Sequence, residues 1–389
     1  MGNIAEKLQN IIDSKAAISA AIEAKGGTVP TELTGYGAAI EALPSGGGSQ
    51  IFTDYMTGTL TSITASDLSG VTSIRDNAFY GFAGLKSAEM PTTVNSFGTH
   101  VFHNCTGLTS VTLPTNLTTI PTGTFTYCSN LKSYTIPEGI TTIGNEAFRY
   151  SGLSSLVMPS SLTALGNNAF GYCSNMKSVD SWGGLTSLTS NAFSYAGLSS
   201  VELPNGMVTT GTYSFSYCSS LSSVTIPPSL TSFGQDTFLQ CNKLTAVNIS
   251  DLSAWCGITF IGGQSNPVFW SKKLILNGEE LTSIVVPDGI TQLKNFVFAN
   301  NQELTSIIIP ASVTSIGNYA FNQTTNCLVF DFSAATSIPT LTGVNAFEGS
   351  NANKKIIVPD DLYDSWKAAN NWKSTTNGIV DAITKASEA

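Results

Sequence analysis

A phenylalanine that returns every 22 or 23 residues constrains this chain more than any other feature. It stands at Phe79, Phe102, Phe125, Phe148, Phe170, Phe193, Phe215 and Phe238, and after a gap at Phe298, Phe321 and Phe347. Repetition at a period of this size marks stacked supersecondary units. One unit cannot bury its apolar face alone, and neighbours close the core together.

Between one Phe and the next lies a strand-like stretch that ends in Pro. Leu108-Thr109-Ser110-Val111-Thr112-Leu113-Pro114 is one copy, and Leu221 to Pro227 and Leu304 to Pro310 are others. The apolar residues at relative positions 0, 3 and 5 point inward, and positions 2 and 4 point outward, as period-two alternation requires. Pro ends the strand because it has no N–H for a ladder. The Ala-Phe-x-x-Cys stretch reads as one short helical turn with Phe and Cys on the same inward face. A second apolar pair, as in Val313-Thr314-Ser315-Ile316-Gly317, precedes the next Phe.

This pattern resembles the BspA-like leucine-rich repeat family over residues 52–350. The resemblance implies a repeat solenoid: a right-handed superhelix of short parallel β-strands and short helical turns, with small α-helical N- and C-terminal segments. The stretch 251–287, from Asp251 through Trp255, Asn266-Pro267 and Leu274 to Pro287, leaves the 23-residue frame and looks like a longer variant repeat of that family. Residues 351–389, with Ile356-Ile357-Val358-Pro359 followed by Tyr363, Trp366 and Trp372, read as a last strand and a helical cap. For function, the family implies surface proteins and adhesins, and it carries no catalytic residues to transfer.

Residues 1–44 read as a helical hairpin. Ile4, Leu8, Ile11, Ile18 and Ile22 form a heptad seam, and Gly26-Gly27 stops it. A weaker helix with Leu33, Tyr36, Ile40 and Leu43 follows, and residues 45–51 are a Gly/Ser linker. The hairpin caps the array, docks to a partner or makes a homo-oligomer. It also resembles the short helical starts of repeat proteins in gut bacteriophage tails.

Charged residues make up 11% of the chain, against about 25% in an ordinary soluble domain. Ser, Thr, Asn and Gly take their place, which suits tight turns and short strands. The net charge is −9, and Arg occurs only at Arg75 and Arg149. Scattered cations cannot track a phosphate backbone, so nucleic acid is not an expected partner. No apolar run reaches the ~18 residues of a membrane span, and Met1 to Glu6 lacks the basic flank and apolar core of a secretory signal. Five of the seven Cys fall at one repeat position (Cys105, Cys128, Cys173, Cys218 and Cys241), a column of buried thiols rather than a disulfide framework.

Two surfaces are candidate binding sites. Tyr127, Tyr150, Tyr172, Tyr195 and Tyr217 each follow the Phe by two residues, and such a stripe can bind sugars or a peptide by ring-face contact. A structural ladder, each ring packed on the next, is the other reading of the same spacing. On the strand face, one outward column is nearly all Ser. The other varies and contains Glu89, Thr112, Thr135, Asp180, Glu202, Thr225 and Asn248. Asp180 and Glu202, on adjacent coils, can hold a cation or simply repel in water. Trp182 stands where the repeat has Pro, and Trp255 and Trp270 lie in the irregular repeat; they mark binding spots or fill holes. His100 and His103 are the only histidines, with no Cys or carboxylate in frame, a poor metal site. No nucleophile has a base beside it and no glycine loop ends in Lys-Ser/Thr. No cofactor, metal or catalytic residue is expected.

These readings converge on a non-enzymatic binding or adhesion protein engaging a cell-surface protein or glycan. The first form is a virion-associated phage tail protein for receptor binding or host attachment, assembled in the cytoplasm. The alternative is a bacterial or protozoan cell-surface adhesin.

Overall fold

A computed structural model describes residues 59–373 and 378–389. The expected helical hairpin 1–44, the linker 45–51 and the first residues of the array lie outside them. The described chain forms two compact units: residues 59–185 with Asn191–Gly197, and Thr186–Ser190 with residues 198–389.

In the first unit all coils but one contribute a strand to a first parallel ladder. Ser62–Ile63, Ser87–Glu89 and Ser110–Thr112 pair in register, Ser opposite Ser. Ser155–Met158 and Ser178–Trp182 continue it. The alternation holds as read: in Ser155–Met158 burial runs exposed, buried, exposed, buried. The coil between these two sheets has no strand at 133–135. Its inward slot is taken by Tyr134, which wedges against Phe125 and Phe148 with ring centroids at 5.4 and 5.6 Å. A ring where other coils place Val or Leu holds the backbone off the ladder.

A second parallel ladder, formed by the apolar pair that precedes each Phe, runs through Ser73–Ile74 and Ser96–Phe97, then Thr119–Ile120, Thr142–Ile143 and Ala164–Leu165. Both ladders carry hydroxyls just before the strand that bond to the previous coil. Thr109 Oγ1 donates to the Lys86 carbonyl at 2.9 Å and Ser154 Oγ to that of Lys132 at 3.1 Å. On the second ladder Thr141 Oγ1 donates to the Thr118 carbonyl at 3.1 Å. The abundant Ser and Thr thus bind one coil to the next with no charge.

The Phe turn is not helical. The residues two before and two after each Phe from Phe79 to Phe321 lie in the left-handed region, for example Glu146 (φ 57°) and Tyr150 (φ 58°) around Phe148. A helical turn would aim its N–H groups along the chain. Here Glu146, Phe148 and Tyr150 N–H point across to the carbonyls of Asn167, Ala169 and Gly171 in the next coil, at 2.8–3.0 Å. These bonds offset the roughly 1–2 kcal/mol that a left-handed L-residue costs. The Phe rings stack inside at 5.1–5.7 Å from Phe79 to Phe193.

The second unit repeats this plan. Ser200–Glu202, Ser223–Ile226, Ala246–Ile249 and Ile275–Leu276 form its first ladder. The irregular repeat inserts the helix Leu252–Gly257, capped by Asp251, whose Oδ1 accepts Ala254 N–H at 3.0 Å. It returns to the second ladder at Thr259–Phe260. Trp255 is buried and donates Nε1–H to the Val297 carbonyl at 3.0 Å. Asn277 and Gly278, both with positive φ, then turn Ile275–Leu276 into the antiparallel strand Glu279–Glu280, a two-residue hairpin loop. A fresh sheet starts at Ser283–Val285 and runs through Ser306–Ile308 and Val329–Asp331 to Lys355–Val358. The helix Tyr363–Ala368 follows, as expected of a cap, but a further strand, Ile383–Lys385, pairs parallel with Lys355–Val358. Trp366 and Trp372 are buried against Phe332, both at 5.6 Å.

Candidate functional site

The thiol column is structural. All seven Cys are free and buried. Cys105, Cys128 and Cys173 each donate S–H to the Phe carbonyl of the preceding coil at 3.0–3.1 Å, and Cys241 does so to Phe215 at 3.2 Å. Burial pushes the thiols of Cys105, Cys241, Cys256 and Cys327 up to about 12 and that of Cys173 to about 11. Thiols held this far from thiolate are inert at neutral pH.

In the first unit the tyrosine stripe is a ring stack. Tyr127–Tyr150, Tyr150–Tyr172 and Tyr172–Tyr195 lie at 4.6, 4.4 and 4.4 Å between centroids, within 21° of parallel. The stack extends through His103, edge-on to Tyr127 at 5.6 Å and face-on to Tyr80 at 4.6 Å. Arg149 lies over Tyr150 and Tyr172 at 5.0 and 5.1 Å and pairs with Glu146 at 3.3 Å. Loss of solvent, then the neighbouring Tyr172, pushes the Tyr150 phenol up. Neighbouring rings cover each other's faces, so edges and hydroxyls are what the stripe offers to a ligand. Tyr127 and Tyr195 are 39% exposed, as is Tyr217 in the second unit.

The strand face is open. Glu89, Thr112, Thr135 and Glu202 are exposed, while Thr225 and Asn248 are half-buried. Glu89 stands opposite Thr112, and Thr225 stands between Glu202 and Asn248. Asp180 is a correction to the column. It is the extra residue of a β-bulge, so Ser181, not Asp180, stands opposite Val157. The cause is Trp182: the bulge advances the register by one and carries Trp182 into the inward slot opposite Met158, where it packs edge-on to Phe193 at 5.5 Å. The same outward row holds bare apolar side chains, Val157 at 52% exposure and the register neighbours Val285 and Ile308 at 64% and 43%.

His103 and His100 lie ring to ring at 5.5 Å. Burial, then His100, lowers the pKa of His103. Among the described residues no three His, Cys, Asp or Glu side chains gather as a metal ion would require. No described helix is long and apolar enough to cross a membrane.

Two in-register parallel ladders, an inward Leu/Val/Ile set and a stacked Phe column define a leucine-rich-repeat solenoid. The chain belongs to the BspA-type leucine-rich repeat family, whose repeat region matches in six copies over residues 48–177, 141–261 and 273–371. A leucine-rich repeat protein from Bacteroides ovatus ATCC 8483 is similar in structure, with a TM-score of 0.50 and 25% identity over 81% of this chain and 87% of that one. A leucine-rich cell surface protein from Faecalibacterium prausnitzii A2-165 matches at 25% identity over 73% of this chain and 79% of its own, with a TM-score of 0.35. No curated protein matches the chain. The likeness of residues 1–44 to phage tail proteins falls outside the described residues, and neither the family nor these structures supports it.

Proposed function

We propose that this chain is a non-enzymatic adhesin of a cell surface that engages a protein or glycan through the outward row of its first ladder. One observation carries the reading: on a backbone repeated coil by coil, that row changes chemistry from coil to coil while the outward Ser column beside it stays nearly constant. The changing row passes from Glu89 and Thr112 to Val157 in the first unit, and from Glu202 and Thr225 to Val285 and Ile308 in the second. Exposed apolar side chains amid small polar ones supply the desolvated contacts that carry binding energy. Family membership supports both the cell-surface location and a binding role.

The test displays the full chain to a glycan array and a panel of purified extracellular glycoproteins. Saturable binding that Val285→Asp with Ile308→Asp abolishes, with the circular dichroism spectrum kept, is the expected result. Binding that survives this change and Val157→Asp, but is lost on Tyr172→Ala with Tyr195→Ala, moves the site to the tyrosine stripe. Protease shaving of intact cells tests location: a chain found only in phage particles would return the virion reading. The heptad seam at Ile4 to Ile22 adds a homo-oligomer to the proposal, which a monomer mass in light scattering would remove.

A further inference from the structure

Agents that remove single electrons from proteins react with thiols, thioethers, indoles and phenols. Among the described residues the thiols, the thioethers and four of the five indoles are shut away. All seven thiols are buried, as are Met90, Met158, Met176 and Met207, and Trp182, Trp255, Trp366 and Trp372. Oxidation of such groups follows exposure. The phenols of the first unit's stack face outward instead, with Tyr127 and Tyr195 each 39% exposed.

We propose that this tyrosine stack is an oxidative modification site, at which phenols of successive coils couple to dityrosine and staple one coil to the next. Each phenol gives one electron to the oxidant and its hydroxyl proton to water. The unpaired electron spreads over the oxygen and the ring carbons ortho to it. Two such radicals on rings whose centroids lie 4.4 Å apart form a carbon–carbon bond between ortho carbons. The hydrogen on each joined carbon leaves as a proton and each oxygen regains one, restoring two phenols. Per link, two electrons pass to the oxidant and two protons to water. Persulfate, reduced to two sulfates, takes up both electrons.

The stack favours this step in two ways. Near-parallel rings share a cation radical between them, and the left-handed turn fixes each pair before the radicals form. Arg149 sets the order. Its positive charge sits over both Tyr150 and Tyr172, so the pair formed by these two is the least favoured. Tyr172–Tyr195 and Tyr127–Tyr150, each with one ring away from the guanidinium, couple first. A surface protein stapled in this way resists fraying between coils, independently of what it binds.

The full chain is irradiated with a ruthenium tris-bipyridyl complex and persulfate, then mapped by proteolysis and mass spectrometry. The expected product runs as a monomer, shows dityrosine fluorescence and yields a cross-linked peptide pair joining Tyr172 to Tyr195. Tyr195→Phe keeps the ring and the circular dichroism spectrum and removes that link, while the Tyr127–Tyr150 link remains. Tyr213, Tyr319 and Tyr363, outside the stack, serve as comparators. Links among these three as frequent as those within the stack would overturn the proposal. So would dityrosine found only between molecules, or oxidised stack tyrosines without coupling.

Discussion

Alkali should unfold this protein far sooner than its carboxylates or lysines would suggest. Six thiols, Cys105, Cys128, Cys173, Cys241, Cys256 and Cys327, are held neutral by burial, four of them up to about 12 against an ordinary 9.0. Below about pH 8 both folded and unfolded chains keep these protons, and stability does not respond. Above it the unfolded chain releases protons that the folded chain retains, so stability falls as pH rises. At pH 10 each of the five thiols other than Cys128 has lost about 1.4 kcal/mol, roughly 7 kcal/mol together, and Cys128 adds to the loss in the same direction, against the ~5–15 kcal/mol that holds a whole domain. Urea unfolding followed by tryptophan fluorescence, with reductant present, measures this at pH 7, 9 and 10. The midpoint should be flat to about pH 8, fall measurably at pH 9, where each thiol has already lost about 0.4 kcal/mol, and collapse by pH 10. Cys105→Ser with Cys173→Ser and Cys241→Ser, which leaves a hydroxyl to meet each Phe carbonyl, should restore about 4 kcal/mol of the loss at pH 10. Native protein whose thiolate absorbance rises with an ordinary midpoint, fold intact, would refute the reasoning.

Three further outcomes are expected in thermal or urea melts at neutral pH. Tyr134 buries a hydroxyl without a partner, so Tyr134→Phe should raise stability by about 1 kcal/mol. Thr305 Oγ1 donates to the Thr282 carbonyl at 2.8 Å on an exposed edge, so Thr305→Val should lower stability by about 0.5–1 kcal/mol. A Cβ on Gly152 would stand 2.1 Å from the Ser129 carbonyl oxygen, so Gly152→Ala should cost about 1–3 kcal/mol; an unchanged melt would mean that this coil yields freely.

Much of the fold was legible because burial repeats in phase. The Phe column, the inward set at positions 0, 3 and 5, and the Cys column each sit where the spacing places them, and the same alternation marked Val157 and Val285 as outward. The second ladder was not legible: two residues per coil, such as Ser73–Ile74, are too few to show a period. Nor were the left-handed turns, because Tyr rarely adopts positive φ; Asn or Gly two before the Phe, as at Asn168 and Gly123, was the available signal. Trp182 in place of Pro marked an irregular coil, but the bulge that takes Asp180 out of its column did not follow from it. Asn277-Gly278 carries a hairpin signal that went unused. So do Gly152 and Gly197 for a close approach: each replaces a two-residue step in the 22-residue coils, where the chain passes close to the preceding carbonyl. The ligand was not legible, since the outward row that would meet it is the part that does not repeat.

The hydroxyl bonds between coils bear on how such a chain changes over generations. Each joins one repeat position to the same position on the coil before, as Thr109 does to Lys86 and Thr305 to Thr282. For these hydroxyls just before the strands the acceptor is a backbone carbonyl, which every residue type carries. A coil therefore fits after any other, whatever side chains that neighbour bears. Recombination between misaligned copies within the gene can delete or duplicate a segment of one period and leave no donor stranded at the join. Such an exchange alters the reach of the protein and reshuffles its outward row in a single event, faster than point mutation could redesign either.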